Sequence, residues 1–215
     1  PELLCYPESE EIEFGNYYFD FDKIRRAGRY DEVLFEVTLA IKKMQSYQFS
    51  LEKIKKVCKA MVVTWENFLG IDDGDLPDIM ILESENEILE CMGRWLAQTL
   101  GIINGDKESE RINHILTVVY CNFENTGLNI QYMAKNILFM NEDYFGRVFV
   151  RTMNLKFSSY LEYSRIEMAK RLFSFWPEMK ISVVTELVGY PADGQYFSKA
   201  FRKISLRQPG LMVQV

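Results

Sequence analysis

The sequence predicts an all-α protein with two domains. Apolar residues recur at steps of three and four over much of the 215-residue chain, which is the period of an amphipathic helix. The charge is uneven, because residues 1–110 hold 12 Lys and Arg against 23 Asp and Glu whereas residues 111–215 hold 13 against 8. The formal charge of −6 is therefore the sum of an acidic half of −11 and a basic half of +5. The polar, glycine-containing stretch 101–110 is expected to connect them, with the boundary between residues 104 and 105.

The first half is predicted to be a small helical domain with little or no sheet. A short helical segment is interrupted by Gly28, and Asp31 is the candidate cap of the next helix. A long amphipathic helix is expected between Ser50, a good N-cap, and Gly70.

A further helix of this half begins with a capping box, in which Ser84 stands three residues before Glu87, and it ends at Gly101. The segment before about residue 18 and the acidic segment 72–78 are predicted to be loop or extended chain.

Histidine is scarce, and the numerous carboxylates of the first half fall on polar faces or in loops rather than as an isolated pair in an apolar pocket. His114 is the one histidine, and the four cysteines are more than 29 residues apart without paired spacing. The acidic segment 72–78 lacks the twelve-residue spacing of an EF-hand loop. No glycine-rich phosphate loop occurs, and no apolar stretch reaches the length of a membrane span. We therefore expect no enzymatic activity, no cofactor, no metal and no membrane association, and a cytoplasmic location.

An internal repeat divides the second half into two similar units. Each copy, at 129–152 and at 181–204, has the pattern of a short helix, a turn and a second helix. In the second copy Gly189 follows the first helix, as expected for a left-handed residue, whereas Leu138 stands there in the first copy. Helix-turn-helix pairs of this kind place their second helix in the major groove of DNA.

The second helices carry the candidate contact residues. Asn141 and Asp193 are their predicted caps, and Tyr144, Phe145, Val148 and Phe149 are expected to face inward in the first copy. The alternative to DNA contact is that the outward residues of these helices form an ordinary solvated face, because the acidic residues among them would repel DNA phosphates. Arginine can pair with guanine and glutamine with adenine. The candidate residues are Asn141, Glu142, Asp143, Arg147 and Arg151 in the first copy, and Asp193, Gln195, Ser198, Lys199 and Arg202 in the second.

Residues 111–209 resemble the DNA-binding domain of AraC-type transcription regulators. The matching pieces are 138–145, 147–149, 157–161, Arg165, Ala169, 188–190, 195–203 and Pro209. The resemblance implies a seven-helix-type domain, here residues 105–215. A linker helix, roughly 157–175, would join two helix-turn-helix units whose second helices enter successive major grooves. The glycine common after the first of these helices is Asn154 here, and the equivalent position in the second unit is Leu206.

The first half resembles the helical region that precedes the DNA-binding domain in YesN-type response regulators. That resemblance implies a receiver domain before Pro1, a histidine kinase that acts on the receiver, and homodimerisation through residues 1–104.

The sequence thus predicts a transcription regulator that binds double-stranded DNA sequence-specifically, as the output part of a two-component system. Arg147, Lys199 and Gln195 are the expected base contacts, and Asn141, Ser198, Arg151 and Arg202 would position the backbone or read neighbouring bases. The alternative is a helical protein-interaction or dimerisation module whose DNA binding has decayed.

Overall fold

The computed structural model describes residues 17–69, 78–103 and 107–205, and all regular secondary structure in these ranges is helical. This confirms the predicted all-α class. Two compact units divide the chain, Pro1–Cys121 and Asn122–Val215. Over the described ranges, no helix is both long and apolar enough to cross a membrane. The predicted loops before residue 18 and over 72–78 lie almost wholly outside these ranges, as does Leu206.

The first unit is built from five described helices and one short 3-10 turn. Helix α2 is central, since it packs against α4 and α5, which also contact each other. The helices are α1 (Phe21–Arg26), α2 (Tyr30–Ser46), α3 (Leu51–Leu69), α4 (Glu85–Thr99) and α5 (Lys107–Cys121), and the turn is Ile79–Ile81.

Close packing of α2 on its neighbours depends on one glycine and one buried hydrogen bond. A Cβ atom added to Gly93 of α4 would lie 2.6 Å from Leu34 Cδ2, so the missing side chain lets the two helices approach. The Tyr30 hydroxyl and Thr117 Oγ1, 3.0 Å apart and buried, join α2 to α5. Burial is the main cause that raises the pKa of Tyr30.

Two predicted helix caps are confirmed. The Ser50 hydroxyl accepts a hydrogen bond from the Lys53 amide at 3.3 Å, and the Ser84 hydroxyl accepts one from the Glu87 amide at 3.2 Å. The Glu87 carboxylate returns to the Glu83 amide at 2.7 Å rather than to that of Ser84.

The third predicted cap, Asp31, is wrong. Helix α2 begins one residue earlier, at Tyr30, so Asp31 lies in its first turn and is buried. Its two carboxylate oxygens accept hydrogen bonds from the Arg29 guanidinium at 2.7 and 3.0 Å. A carboxylate in the first turn still interacts favourably with the helix dipole. The hydrogen bonds from Arg29 offset the cost of burying that charge.

The division between the units falls after Cys121, later than the boundary expected from composition. Helix α5 packs on α2 and α4, and therefore belongs to the first unit. Polar residues and glycine in 101–110 mark a break between helices but do not say on which side the next helix packs.

The second unit is arranged around one long helix, α8, which contacts the helices on both sides of it in the sequence. Its bounds agree with the linker helix implied by the resemblance, and it ends where the Trp176 amide bonds to the Leu172 carbonyl, before Pro177. The elements are α6 (Ile130–Tyr132), continued by a π-helical turn (Met133–Ile137), α7 (Glu142–Met153), α8 (Phe157–Phe175), α9 (Ile181–Leu187) and α10 (Gln195–Ser205).

Each helix pair packs on α8 through its own aromatic cluster. In the first, Phe149 lies between Phe157 and Tyr160, with ring centroids 5.2 and 5.3 Å away. In the second, Phe197 and Phe201 of α10 are 5.5 Å apart, and Phe201 is 6.2 Å from a phenylalanine of α8. Aromatic pairs at these separations stabilise a fold by more than the burial of their apolar area alone.

Candidate nucleic-acid interface

The second helix pair, α9 and α10, turns at a residue that must be glycine. Gly189 has φ +75°, and a Cβ there would come within 2.3 Å of the Phe123 carbonyl oxygen and 2.5 Å of Arg165 Nη2. The Tyr190 amide then bonds to the Thr185 carbonyl at 2.9 Å, which closes the end of α9. The predicted left-handed conformation at this position is confirmed.

The first helix pair turns in a different way. The π-helical turn is closed by the Leu138 amide on the Met133 carbonyl, and the Met140 amide reaches the Ala134 carbonyl, both at 2.9 Å. The left-handed residue is Phe139, with φ +48°, so Leu138 is not the counterpart of the glycine. The Met140 amide lies six residues after its acceptor, whereas the Tyr190 amide of the second pair lies five residues after its acceptor. The difference arises because a π-helical turn contains one residue more than an α-helical turn.

Helix α7 begins at the predicted cap and ends at a left-handed residue. The Asn141 side chain accepts a hydrogen bond from the Tyr144 amide at 3.0 Å. Asn154 at its C-terminus has φ 50° and ψ 25°, as expected for the residue that replaces glycine. Phe145 and Phe149 are fully buried, as predicted.

Tyr144 does not face inward as the sequence pattern predicted. Its side chain is 40% exposed, because one helical step of about 100° separates it from the buried line of Phe145 and Phe149. Tyr196, at the matching place in the second copy, is 67% exposed. Sequence reasoning therefore missed two aromatic residues beside the candidate contacts; the Tyr-Phe pair in both copies was the available signal.

Helix α10 presents its polar face to solvent and its apolar face to α8. The Asp193 carboxylate accepts a hydrogen bond from the Gln195 amide at 3.2 Å at the start of the helix. Phe197, Ala200 and Ile204 are buried, four or three residues apart. Lys203 is held at 2.7 Å by Glu162 of α8.

The structure exposes almost every candidate contact residue. Glu142 is half-buried, and the others lie on the exposed surfaces of α7 and α10 or directly before them. Arg147, Lys199 and Arg202 make no ion pair within the described ranges. Helix α7 carries both signs of charge, whereas outward-facing residues of α10 are neutral or basic.

A shallow, open depression lies between α9 and α10. Ile181, 61% exposed, is one of its lining residues and was not among the predicted contacts. The depression is lined by Ile181, Ser182, Thr185, Ala192, Asp193, Gly194, Gln195, Ser198, Lys199 and Arg202. Four of the five candidate residues in α10 and the fifth directly before it thus share one surface.

No group of three or more His, Cys, Asp or Glu side chains in the described part of the chain is placed to hold a metal ion. The thiols there are buried or half-buried. Burial raises the pKa of Cys121 to about 11.

The sequence is 30% identical over 110 residues to the uncharacterized transcriptional regulatory protein YesN of Bacillus subtilis (strain 168). The chain is similar to a transcription regulator. The similar region is 51% of this chain and 29% of YesN, and at this level it supports a YesN-like regulator without defining its signal or target. No family model and no solved structure matches the chain significantly.

Proposed function

We propose that this chain binds double-stranded DNA sequence-specifically and places α7 and α10 in successive segments of the major groove. The observation that carries the proposal is that the two second helices share three features, although their turns differ. Each second helix follows a left-handed turn, has an aspartate or asparagine at its start, and presents cations on its exposed side. The similarity to YesN, a transcriptional regulatory protein, supports the proposal at the level of transcription regulation.

The side-chain roles follow from hydrogen-bond chemistry. Arg147 and Lys199 would donate to guanine, and Gln195 would pair with adenine. The remaining cations would contact phosphates and the small polar groups would fix the backbone. The carboxylates near the helix starts would accept from the amino group of cytosine. The residues proposed to contact the DNA backbone are Arg151, Arg202, Asn141 and Ser198. The residues proposed to contact cytosine are Glu142, Asp143 and Asp193.

We further propose that the acidic residues 1–104 dimerise, so that a chain whose residues 105–215 carry only a modest positive charge gains a second DNA contact. A receiver domain in the complete protein, acted on by a histidine kinase, would regulate that step in the cytoplasm. The match covers only 29% of YesN, so most of that relative lies outside the matched region and is long enough to include such a domain.

A protein-interaction module is the second candidate function. The observation that favours it is the pair Glu142 and Asp143 in the first turn of α7, which would repel phosphates. Exposed Phe139, at 84%, adds an apolar group beside them.

Selection of bound duplexes from a random pool by the full chain tests the proposed function. We expect enrichment of a two-part site whose halves are about one helical turn apart. Failure to enrich any sequence at near-physiological salt would favour the protein-interaction module.

The variant Arg147→Ala then tests base contact by α7. We expect the selected site to lose roughly 1–3 kcal/mol of binding free energy while random DNA loses less, because one bidentate base contact disappears. Arg25→Ala is the matched control, since Arg25 is exposed on α1 and pairs only locally with Asp22. An unchanged ratio of the two affinities would remove Arg147 from the base-reading set.

A further inference from the structure

Arg165, in the middle of helix α8, is a buried cation without a carboxylate partner in the described ranges. Its residue exposure is 6%, and burial lowers its pKa to about 10. Its Nε atom is buried and has no hydrogen-bond partner there. Burying a guanidinium in this way costs more than burying an apolar side chain of similar size. Stability alone therefore does not account for an arginine at this position.

One nitrogen of Arg165 holds the segment that leads into the first helix pair. Nη2 donates to the carbonyl oxygens of Phe123 and Asn125, both at 2.8 Å. The Asn125 carbonyl also accepts the Leu128 amide at 3.0 Å, and Asn129 caps α6 through the Tyr132 amide at 2.9 Å. The start of the first pair is thus tied to Arg165 by a short chain of hydrogen bonds.

The same guanidinium lies against the turn of the second helix pair. Its central carbon is 5.7 Å from the ring centroid of Tyr190 and 5.9 Å from that of Phe123. Gly189 leaves the space that Nη2 occupies. The Tyr190 ring then packs edge-on against Phe197 of α10, with centroids 5.6 Å apart. Contacts through Arg165 therefore run from the start of the first pair to helix α10.

We propose that Arg165 is a positioning residue that fixes the two helix-turn-helix pairs relative to each other and so limits the half-site separation that the protein accepts. Its guanidinium supplies directional hydrogen bonds to both carbonyls while packing against the second turn, which an apolar residue cannot do. The DNA consequence rests on the proposed function, whereas the structural part can be tested without DNA.

The structural test is a distance measurement by pulsed electron spin resonance on the full chain. Nitroxide labels are placed at Thr152→Cys of α7 and Ser205→Cys of α10, both exposed and outside the candidate contacts. Cys5, Cys91 and Cys121 are replaced by serine, while the fully buried Cys58 is retained. Arg165→Met is compared with Lys170→Met, a control on the same helix whose cation pairs with Glu167 at 2.6 Å.

We expect Arg165→Met to broaden the distance distribution at least about twofold, with helix content retained, because the hydrogen bonds to both carbonyls are lost. Lys170→Met should leave the distribution unchanged. Arg165→Lys keeps one cationic donor and should broaden it less, and this variant decides the matter if Arg165→Met does not fold. A distribution in a folded Arg165 variant equal to that of the Lys170→Met control would overturn the proposal.

Binding to duplexes with varied half-site separation supplies the second readout. Unsubstituted protein should prefer one separation near about 10 base pairs, whereas Arg165→Met should bind all separations within about threefold while its affinity for a single half-site changes less than about twofold. A separation preference retained by Arg165→Met would refute the DNA part of the proposal. If unsubstituted protein binds no DNA, the proposed function fails, and the distance measurement still decides the role of Arg165.

Discussion

Gly189 occupies a position where both the backbone angle and the surrounding space exclude a side chain. The positive φ disfavours any residue with a side chain, and a Cβ would lie less than 3 Å from neighbouring atoms. Each of these two effects alone would destabilise a substitution. The sequence predicted the first from the place of a glycine after a helix, but the second depends on Arg165 and Phe123, which approach from distant parts of the chain. Local patterns predict backbone conformation better than they predict what a residue touches.

We predict that Gly189→Ala lowers the free energy of unfolding by roughly 2–4 kcal/mol, because left-handed strain and overpacking add. Urea denaturation measures this change. Gly194→Ala is the control: Gly194 has φ +66° with nothing within 4 Å of a Cβ, so only strain of about 1–2 kcal/mol is expected. Equal losses in the two variants would show that the close contacts at Gly189 relax without cost.

The thiol of Cys121 should react slowly in the folded protein. Burial raises its pKa from 9.0 to about 11, so at pH 9 the thiolate is about fifty-fold rarer than in the unfolded chain. Alkylation followed by mass spectrometry, with and without concentrated urea, measures the difference. Because the folded pKa is raised, the stabilising contribution is complete below pH 9 and is lost as the pH rises through 11. Equal alkylation rates at pH 9 would contradict this.

At the scale of elements, the helix bounds were predictable where the chain marks its own ends. The resemblance placed the linker helix correctly, and Pro177 follows its end; α7 was placed correctly because Asn141 caps it. The π-helical turn was not predictable, since nothing in the apolar pattern distinguishes a wide turn from an ordinary helical one. Tyr144 was misplaced for a related reason: two adjacent aromatic residues do not say which of them faces the core.

The end of the first helix in the first pair carries strain that can be relieved. Phe139→Gly should raise the free energy of unfolding by roughly 0.5–1 kcal/mol, because glycine accepts φ +48° and the ring is 84% exposed. Thermal and urea unfolding measure the gain. Asn154→Gly is the control and should gain less, since asparagine tolerates the left-handed conformation. A loss of stability in Phe139→Gly would mean that the ring contributes packing.

At the scale of the whole molecule, the charge distribution separates an acidic half from a basic half, a contrast that the net charge conceals. Composition located the contrast between an acidic and a basic half but not the boundary, because α5 combines a charged start with an apolar remainder that packs on α2. Which unit a helix joins is decided by complementary apolar surfaces, and a single sequence does not display them.

We predict a moderate dependence of DNA affinity on salt. Release of counterions by the two cations proposed to contact phosphates, Arg151 and Arg202, gives a slope of log affinity against log salt of about −2 for one chain. Arg202→Ala should reduce the magnitude by about 1 at every DNA sequence, whereas Arg94→Ala, paired with Glu90 in the first unit, should not. Affinity that hardly changes with salt would contradict a phosphate-binding role.

We expect the π-helical turn over Met133–Ile137 to let the first helix pair tolerate the loss of one residue. A segment that already holds one surplus residue can lose it by tightening to an ordinary helical turn, while Asn141 and the helix after it keep their place. The corner at Gly189 has no such reserve, because it is enclosed on two sides. Among related sequences, deletions should therefore accumulate before helix α7 and avoid the turn at Gly189.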